Sequence, residues 1–152
     1  MEKALDALRN GADIITDTNM ALSGINKKSL HALGGEAHCF MSDPDVAAEA
    51  KRRGITRAMV SMEKAARLSS DNLIFAIGNA PTALIQLEQL IREHQLAPKL
   101  IIGVPVGFVN VVEAKELILQ SGVPCIVARG NKGGSNIAAA ICNALLYQLY
   151  RA

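Results

Sequence analysis

Tryptophan is absent, and aromatic residues make up only 3% of the 152-residue chain. A core with so few large rings must be built from Ala, Ile, Leu and Val, a composition that suits helices laid on a parallel sheet. Charge of either sign is scarcely in excess, with a formal net value of +2. That balance argues against general nucleic-acid binding, whose usual footprint is a basic stripe, and leaves room for a local basic site facing a small anion. Cysteine is sparse: Cys39, Cys125 and Cys142. Their odd number and wide spacing fit neither a zinc site nor a redox pair, so they read as reduced, buried thiols of a cytoplasmic protein with no metal and no disulfide. No basic-then-apolar leader opens the chain. The longest low-charge segment, 137–150, is shorter than a bilayer requires and contains Asn143 and Gln148, so it reads as a terminal helix of the core and not as a membrane anchor.

What is present is a 50% hydrophobic, 20% charged chain, one domain's worth of residues with a real core. Its organising stretch is NLIFAIGNAPTAL, residues 72–84. The apolar run 73–77 predicts a buried strand that stops at Gly78-Asn79, and the pattern from Pro81 to about residue 93 predicts a helix. Pro81 suits the first helical turn, where no backbone donor is needed, and the free amides of that turn would face whatever sits above the strand end.

In chain order, a short helix is expected over 2–10, beginning abruptly with no cap or strand before it, as if the chain started inside a larger unit. A strand follows over 12–16, then a short apolar link over 20–25. Asn26 is a helix cap, and its helix runs through 33 to Gly34-Gly35. A second strand covers 37–41. Ser42-Asp43-Pro44-Asp45 predicts a helix start with a capping side chain, and Lys51-Arg52-Arg53 before Gly54 its end. Thr56 caps a helix over 57–68. After the organising strand and its helix come a fourth strand over 99–104, a helix over 111–120 with Glu113, Lys115 and Glu116 on the wet side, a fifth strand over 125–128, and a final helix after Ser135. Apolar strands alternating with ordinary helices predict a doubly wound, mostly parallel five-stranded α/β sheet with helices on both faces, Rossmann-like.

In such a sheet the ligand crevice lies beyond the carboxyl ends of the strands. The distinctive loops belong there: Asp17-Thr18-Asn19-Met20, Gly78 to Thr82, Pro105-Val106-Gly107-Phe108, and Arg129 to Ser135. Residues 51–54 and 122–124 read as plain connections on the opposite edge. Arg129 and Lys132, with three glycines before a helix, suit a phosphate or carboxylate. A Gly-rich connector with solvated cations explains the same residues. Arg57, in the first turn of a helix whose dipole disfavours a cation, is better placed reaching for an anion, or is simply a surface arginine. Asp17, Asn79 and Thr82 also suit turns and caps, and Met20 suits packing. Both nucleotide fingerprints fail, there is no Ser-His-Asp or Cys-His arrangement, and His31, His38 and His94 lie outside these loops. The residues alone deliver a crevice for an anionic small molecule and no reaction.

The phrases IITDTNMALSGIN (14–26), GITRAMV (54–60), GNAPTAL (78–84), GVPVGFV (103–109) and KGGSNIAAAICNALL (132–146) occur in order along the chain. In them the sequence resembles the precorrin-8X methylmutases, also called cobalt-precorrin-8 methylmutases, of cobalamin biosynthesis. The resemblance implies an isomerase that moves a methyl group from C-11 to C-12 of a contracted tetrapyrrole, without redox cofactor or catalytic metal, acting as a cytoplasmic homodimer on a corrinoid substrate. It places Asp17, Thr18, Met20, Arg57, Asn79 and Thr82 in the substrate site, together with Val106, Gly107, Phe108, Arg129, Lys132, Gly133 and Ser135. Met20, Val106 and Phe108 would line the ring face, and Arg57, Arg129 and Lys132 would receive carboxylates. Members of that family carry a further amino-terminal segment whose histidine handles the proton. The expectation is therefore that no residue of this chain supplies the catalytic histidine, with a corrinoid-binding or assembly module without turnover as the alternative function.

Overall fold

In the computed structural model, residues 2–68, 70–107, 110–128 and 132–150 are described. Phe108 and Arg129, two of the candidate site residues, lie outside them.

The elements follow in the order α1 (Glu2–Arg9), β1 (Asp13–Thr16), α2 (Asn19–Gly24), α3 (Lys27–Ala32), β2 (Ala37–Cys39), α4 (Pro44–Arg53) and α5 (Arg57–Ala66). Then come β3 (Leu73–Ile77), α6 (Pro81–Arg92), β4 (Leu100–Gly103), α7 (Val111–Leu119), β5 (Cys125–Val127) and α8 (Ser135–Tyr147). The five strands form one sheet in the order β2-β1-β3-β4-β5. Every pairing is parallel, with Ile14 opposite Ala37 and Ile74, and Ile101 opposite Phe75 and Cys125. The expected "mostly parallel" sheet is thus wholly parallel, because each connection contains a helix long enough to return the chain to the same end. Strand order reverses between β1 and β3, where a doubly wound sheet opens its crevice.

Two cores sandwich the sheet. On one face Ile14, Ile74, Ala76 and Ile102 meet Leu5 and Leu8 of α1, Leu30 of α3, and Ala138, Cys142 and Leu146 of α8. On the other, Ile15, Phe75, Ile77 and Ile101 meet Met62 of α5, Leu84 and Leu87 of α6, and Ile118 of α7. All five residues of β3 are buried, as a central strand covered on both faces requires. Phe75 is the largest fully enclosed side chain among the described residues; apart from it, Met62 and Cys142, the buried hydrophobic core is aliphatic.

Local signals explain most boundaries. The Asn26 side chain accepts the Ser29 amide, and the Thr56 side chain accepts the Met59 amide, each satisfying one of a helix start's unpaired donors. Three expectations need correction. Residues 19–24 are helical, not an apolar link: Thr18 caps α2, and a Cβ at Gly24 would stand 2.7 Å from that of Ala139 in α8, so packing stabilises a helix too short to persist alone. Asp43 makes no capping bond at the start of α4; its carboxylate takes the Lys64 ammonium at 2.7 Å instead. Lys115 is not on the wet side of α7. It is 3% exposed and shares the inward arc with Val111, Ala114 and Ile118.

Candidate functional site at the β1/β3 switch point

Asp17 follows β1 directly and has 0% exposure. One carboxylate oxygen accepts the Gly78 amide at 2.9 Å, and the other accepts the amides of Asn79 and Ala80 at 2.9 and 2.7 Å. Asp17 is therefore a strut beneath the loop after β3, gripping three consecutive amides. Burial pushes its carboxyl above the ordinary value of 3.8, and the three amides pull in the opposite direction. Gly78 permits the close contact above it: a Cβ there would stand 2.6 Å from the Cα of Ser135.

Thr18, the next residue, caps α2 by accepting the Ala21 amide at 3.0 Å, and its hydroxyl lies 2.8 Å from that of Ser135. Ser135 is the first residue of α8, whose start at Gly134 has no side-chain cap. The loop before it is seated on β4: the Gly134 amide donates to the Val104 carbonyl at 2.8 Å. A Cβ at Gly133 would meet that same oxygen at 1.9 Å, so no other residue fits. Lys132 extends an exposed side chain from this loop, and its main-chain oxygen accepts from the Lys115 ammonium at 2.8 Å.

Thr82, in the first turn of α6, has its hydroxyl 3.1 Å from that of Thr56. The turn between α4 and α5 consequently flanks the carboxyl rim, and residues 51–54, expected on the opposite edge, lead into it. The α6 start at Ala80 likewise has no side-chain cap. Arg57 is exposed on the flank of this rim, beside a depression of about 610 Å³ that it shares with Ala47, Lys51 and Ile55; it does not join the Asp17-Thr18-Ser135 cluster. Asn79 is exposed above its bonded amide. Met20 and Val106 are apolar side chains left 64% and 48% exposed, and Gly107 follows Val106 with a φ of 127°.

The loops after β1, β3, β4 and β5 thus meet on one rim. The uncapped start of α8 leaves amides for an anion, whereas at α6 Asp17 already takes the amides of Asn79 and Ala80 and Pro81 has none. Lys132 adds positive charge, and Met20 and Val106 offer apolar surface. Sequence reading missed Val112 and Ile137, 43% and 42% exposed in the first turns of α7 and α8. Their signal was available: each is a large apolar residue in the turn that follows a rim loop. The histidines stand elsewhere. The His38 ring is 3.4 Å from the Asp13 carboxylate, His31 is near the end of α3, and His94 lines a cavity of about 1080 Å³ on the amino rim together with Gly122 and Pro124. That cavity, larger than the depression beside Arg57, holds none of the convergent loops. Among the described residues no helix is long and apolar enough to cross a membrane, and no group of His, Cys, Asp and Glu could hold a metal ion.

These features define an α/β protein whose strand-end loops converge at the topological switch point of a parallel sheet. The family profile described as precorrin-8X methylmutase matches residues 1–148. A cobalt-precorrin-8 methylmutase of Salmonella typhimurium is 49% identical over 152 residues, covering 100% of this chain and 70% of the relative. A precorrin-8X methylmutase of Pseudomonas aeruginosa is 40% identical over 141 residues, 91% of this chain and 67% of the relative. The crystal structure of a precorrin-8X methylmutase from Thermus thermophilus superimposes with a TM-score of 0.84 at 36% identity, over 96% of this chain and 71% of that one. The chain belongs to the precorrin-8X methylmutase family, isomerases of cobalamin biosynthesis.

Proposed function

We propose that the carboxyl rim binds precorrin-8X or its cobalt form and that the chain moves the methyl group between adjacent ring carbons, C-11 and C-12, to give hydrogenobyrinate or cobyrinate. The observation that carries this reading is the convergence of Asp17, Gly78, Thr18 and Ser135 at the switch point, which gathers helix starts, a cation and exposed apolar side chains around one crevice. A contracted tetrapyrrole is a flat apolar ring edged with carboxylates. Met20 and Val106 match its face. The amides opening α8, with Lys132 and Arg57, match its acid groups. A methyl shift within the ring system asks little covalent chemistry of the protein: holding one ring geometry and managing a proton are its tasks. Phe108 and Arg129 belong to the same proposal, from outside the described residues.

The reading includes a cytoplasmic homodimer. Three free thiols suit a reducing compartment, and Ile137 and Tyr147, exposed along α8, offer apolar surface to a second copy. Sedimentation velocity decides the assembly. A second reading, corrinoid binding without turnover, is favoured by one fact: none of the three histidines reaches the rim.

The test is direct because hydrogenobyrinate is coloured. Titrating it into the chain should shift its absorbance at micromolar protein, and incubation with precorrin-8X should yield product. Binding without product selects the second reading. No spectral change with hydrogenobyrinate, alongside a thermal shift with NAD or ATP, would sink both in favour of a nucleotide site.

A further inference from the structure

Lys115 is an unexpected guest on the core side of α7. Its neighbours on that arc are Val111, Ala114 and Ile118, and the residue as a whole is only 3% exposed. Burial lowers its pKa below the ordinary 10.5, the direction expected when the charged form is disfavoured. A lysine kept in that position must be repaid through hydrogen bonds. One of them goes to the main-chain oxygen of Lys132, 2.8 Å away.

That carbonyl belongs to a loop already anchored from the other side. The Gly134 amide is bonded to the Val104 carbonyl at the end of β4, and Gly133 lies so close to the same oxygen that a Cβ would meet it at 1.9 Å. The loop is therefore held between β4 and α7, with a backbone contact on one side and a buried cation on the other. Fixing the Lys132 carbonyl fixes the peptide plane that follows. It leaves the Lys132 side chain in solvent and brings Ser135 to Thr18.

We propose that Lys115 is a positioning residue of the substrate crevice, which sets affinity for the corrinoid by clamping the loop that carries Lys132, Gly133 and Ser135. The inference rests on the reading that this loop receives part of the macrocycle. Lys115 touches no substrate itself; it acts through the Lys132 main chain.

The experiment uses the full chain and hydrogenobyrinate. Lys115→Met keeps the length of the stem and removes the donor; Lys115→Arg keeps a cation. The expected result is an unchanged far-UV spectrum for both. Lys115→Met should raise Kd about tenfold, the order expected for losing a charged hydrogen bond, and speed exchange of the Gly134 amide, which is bonded to Val104. Lys115→Arg should recover most of the affinity and the protection. With precorrin-8X as substrate, the change should fall on KM more than on kcat if the loop serves binding alone. A folded Lys115→Met variant with Kd within twofold of wild type and unaltered exchange at the Gly134 amide overturns the proposal. If that variant does not fold, Lys115→Gln is read by the same two criteria. Wild-type chain that fails to bind hydrogenobyrinate overturns the site reading and this inference together, whereas wild-type binding matched by Lys115→Met overturns this inference alone.

Discussion

The hydroxyls of Thr18 and Ser135, 117 positions apart in the chain, lie 2.8 Å from each other and tie the start of α2 to the start of α8 across the switch point. Thr18 already accepts the Ala21 amide, which leaves its own proton available to Ser135. Ser135→Ala should cost about 1 kcal/mol of stability, and Thr18→Val about 1–2 kcal/mol because it also loses the α2 cap. In urea denaturation the double variant should lose less than the sum of the two. Strict additivity would show that the pair is not coupled.

Asp17 should prove a support for the β3 loop more than a group that meets substrate. Asp17→Asn turns one acceptor oxygen into a donor facing amides that are themselves donors, and about 2 kcal/mol of stability should be lost at neutral pH. The pH dependence has a definite sign. Burial raises the folded-state pKa above 3.8, so the folded chain holds this proton more tightly than the unfolded chain does. The stability so gained is complete below pH 3.8 and is lost as pH rises through the raised value. The melting-temperature gap between wild type and Asp17→Asn should narrow from acid towards neutral pH; a gap that widens would contradict this assignment.

Gly133→Ala tests the seating of the cation-bearing loop. The added methyl would meet main-chain oxygen at Val104, and the residue's φ of 153° strains any L side chain. The loop must lift away, breaking the bond from Gly134. A loss of about 1–3 kcal/mol is expected from overpacking, together with weakened corrinoid binding. Wild-type melting and wild-type affinity in this variant would show that the loop has room to spare.

Thiol chemistry should sort the three cysteines. Cys142 is 1% exposed in the core between α8 and the sheet, and burial pushes its thiol up to about 12. Cys39 and Cys125 are half-buried. With a chromogenic disulfide at about pH 8 the native chain should release one equivalent promptly from Cys39, a second more slowly from Cys125, whose thiol burial also pushes up, and the third only on unfolding, since the thiolate is the reacting form. Three fast equivalents would contradict the burial of Cys142.

Much of this architecture is legible in the order of the residues. The strand at 73–77, its stop at Gly78 and the helix start at Pro81 are written in a run of apolar residues followed by turn residues. Asn26 and Thr56 declare their helix starts by residue type. Lys115 shows where such reading fails. Four residues after Val111 and three before Ile118, its spacing belongs to the buried arc, while its charge and its Glu113 and Glu116 neighbours suggest solvent.

By itself the sequence determined which segments become strands and helices, and that helices would separate every pair of strands. Those choices rest on periodicity and on caps that act within a few residues. Only the tertiary structure decided that Asp17 would turn beneath the loop after β3, that Lys115 would face inward, and that a six-residue stretch after Thr18 would be helical. Each depends on a contact with a segment distant in the chain: Gly78 lies 61 positions beyond Asp17, and Ser135 lies 117 beyond Thr18. A local pattern carries no record of such a partner, because packing and desolvation act only after the sheet has brought the two segments together.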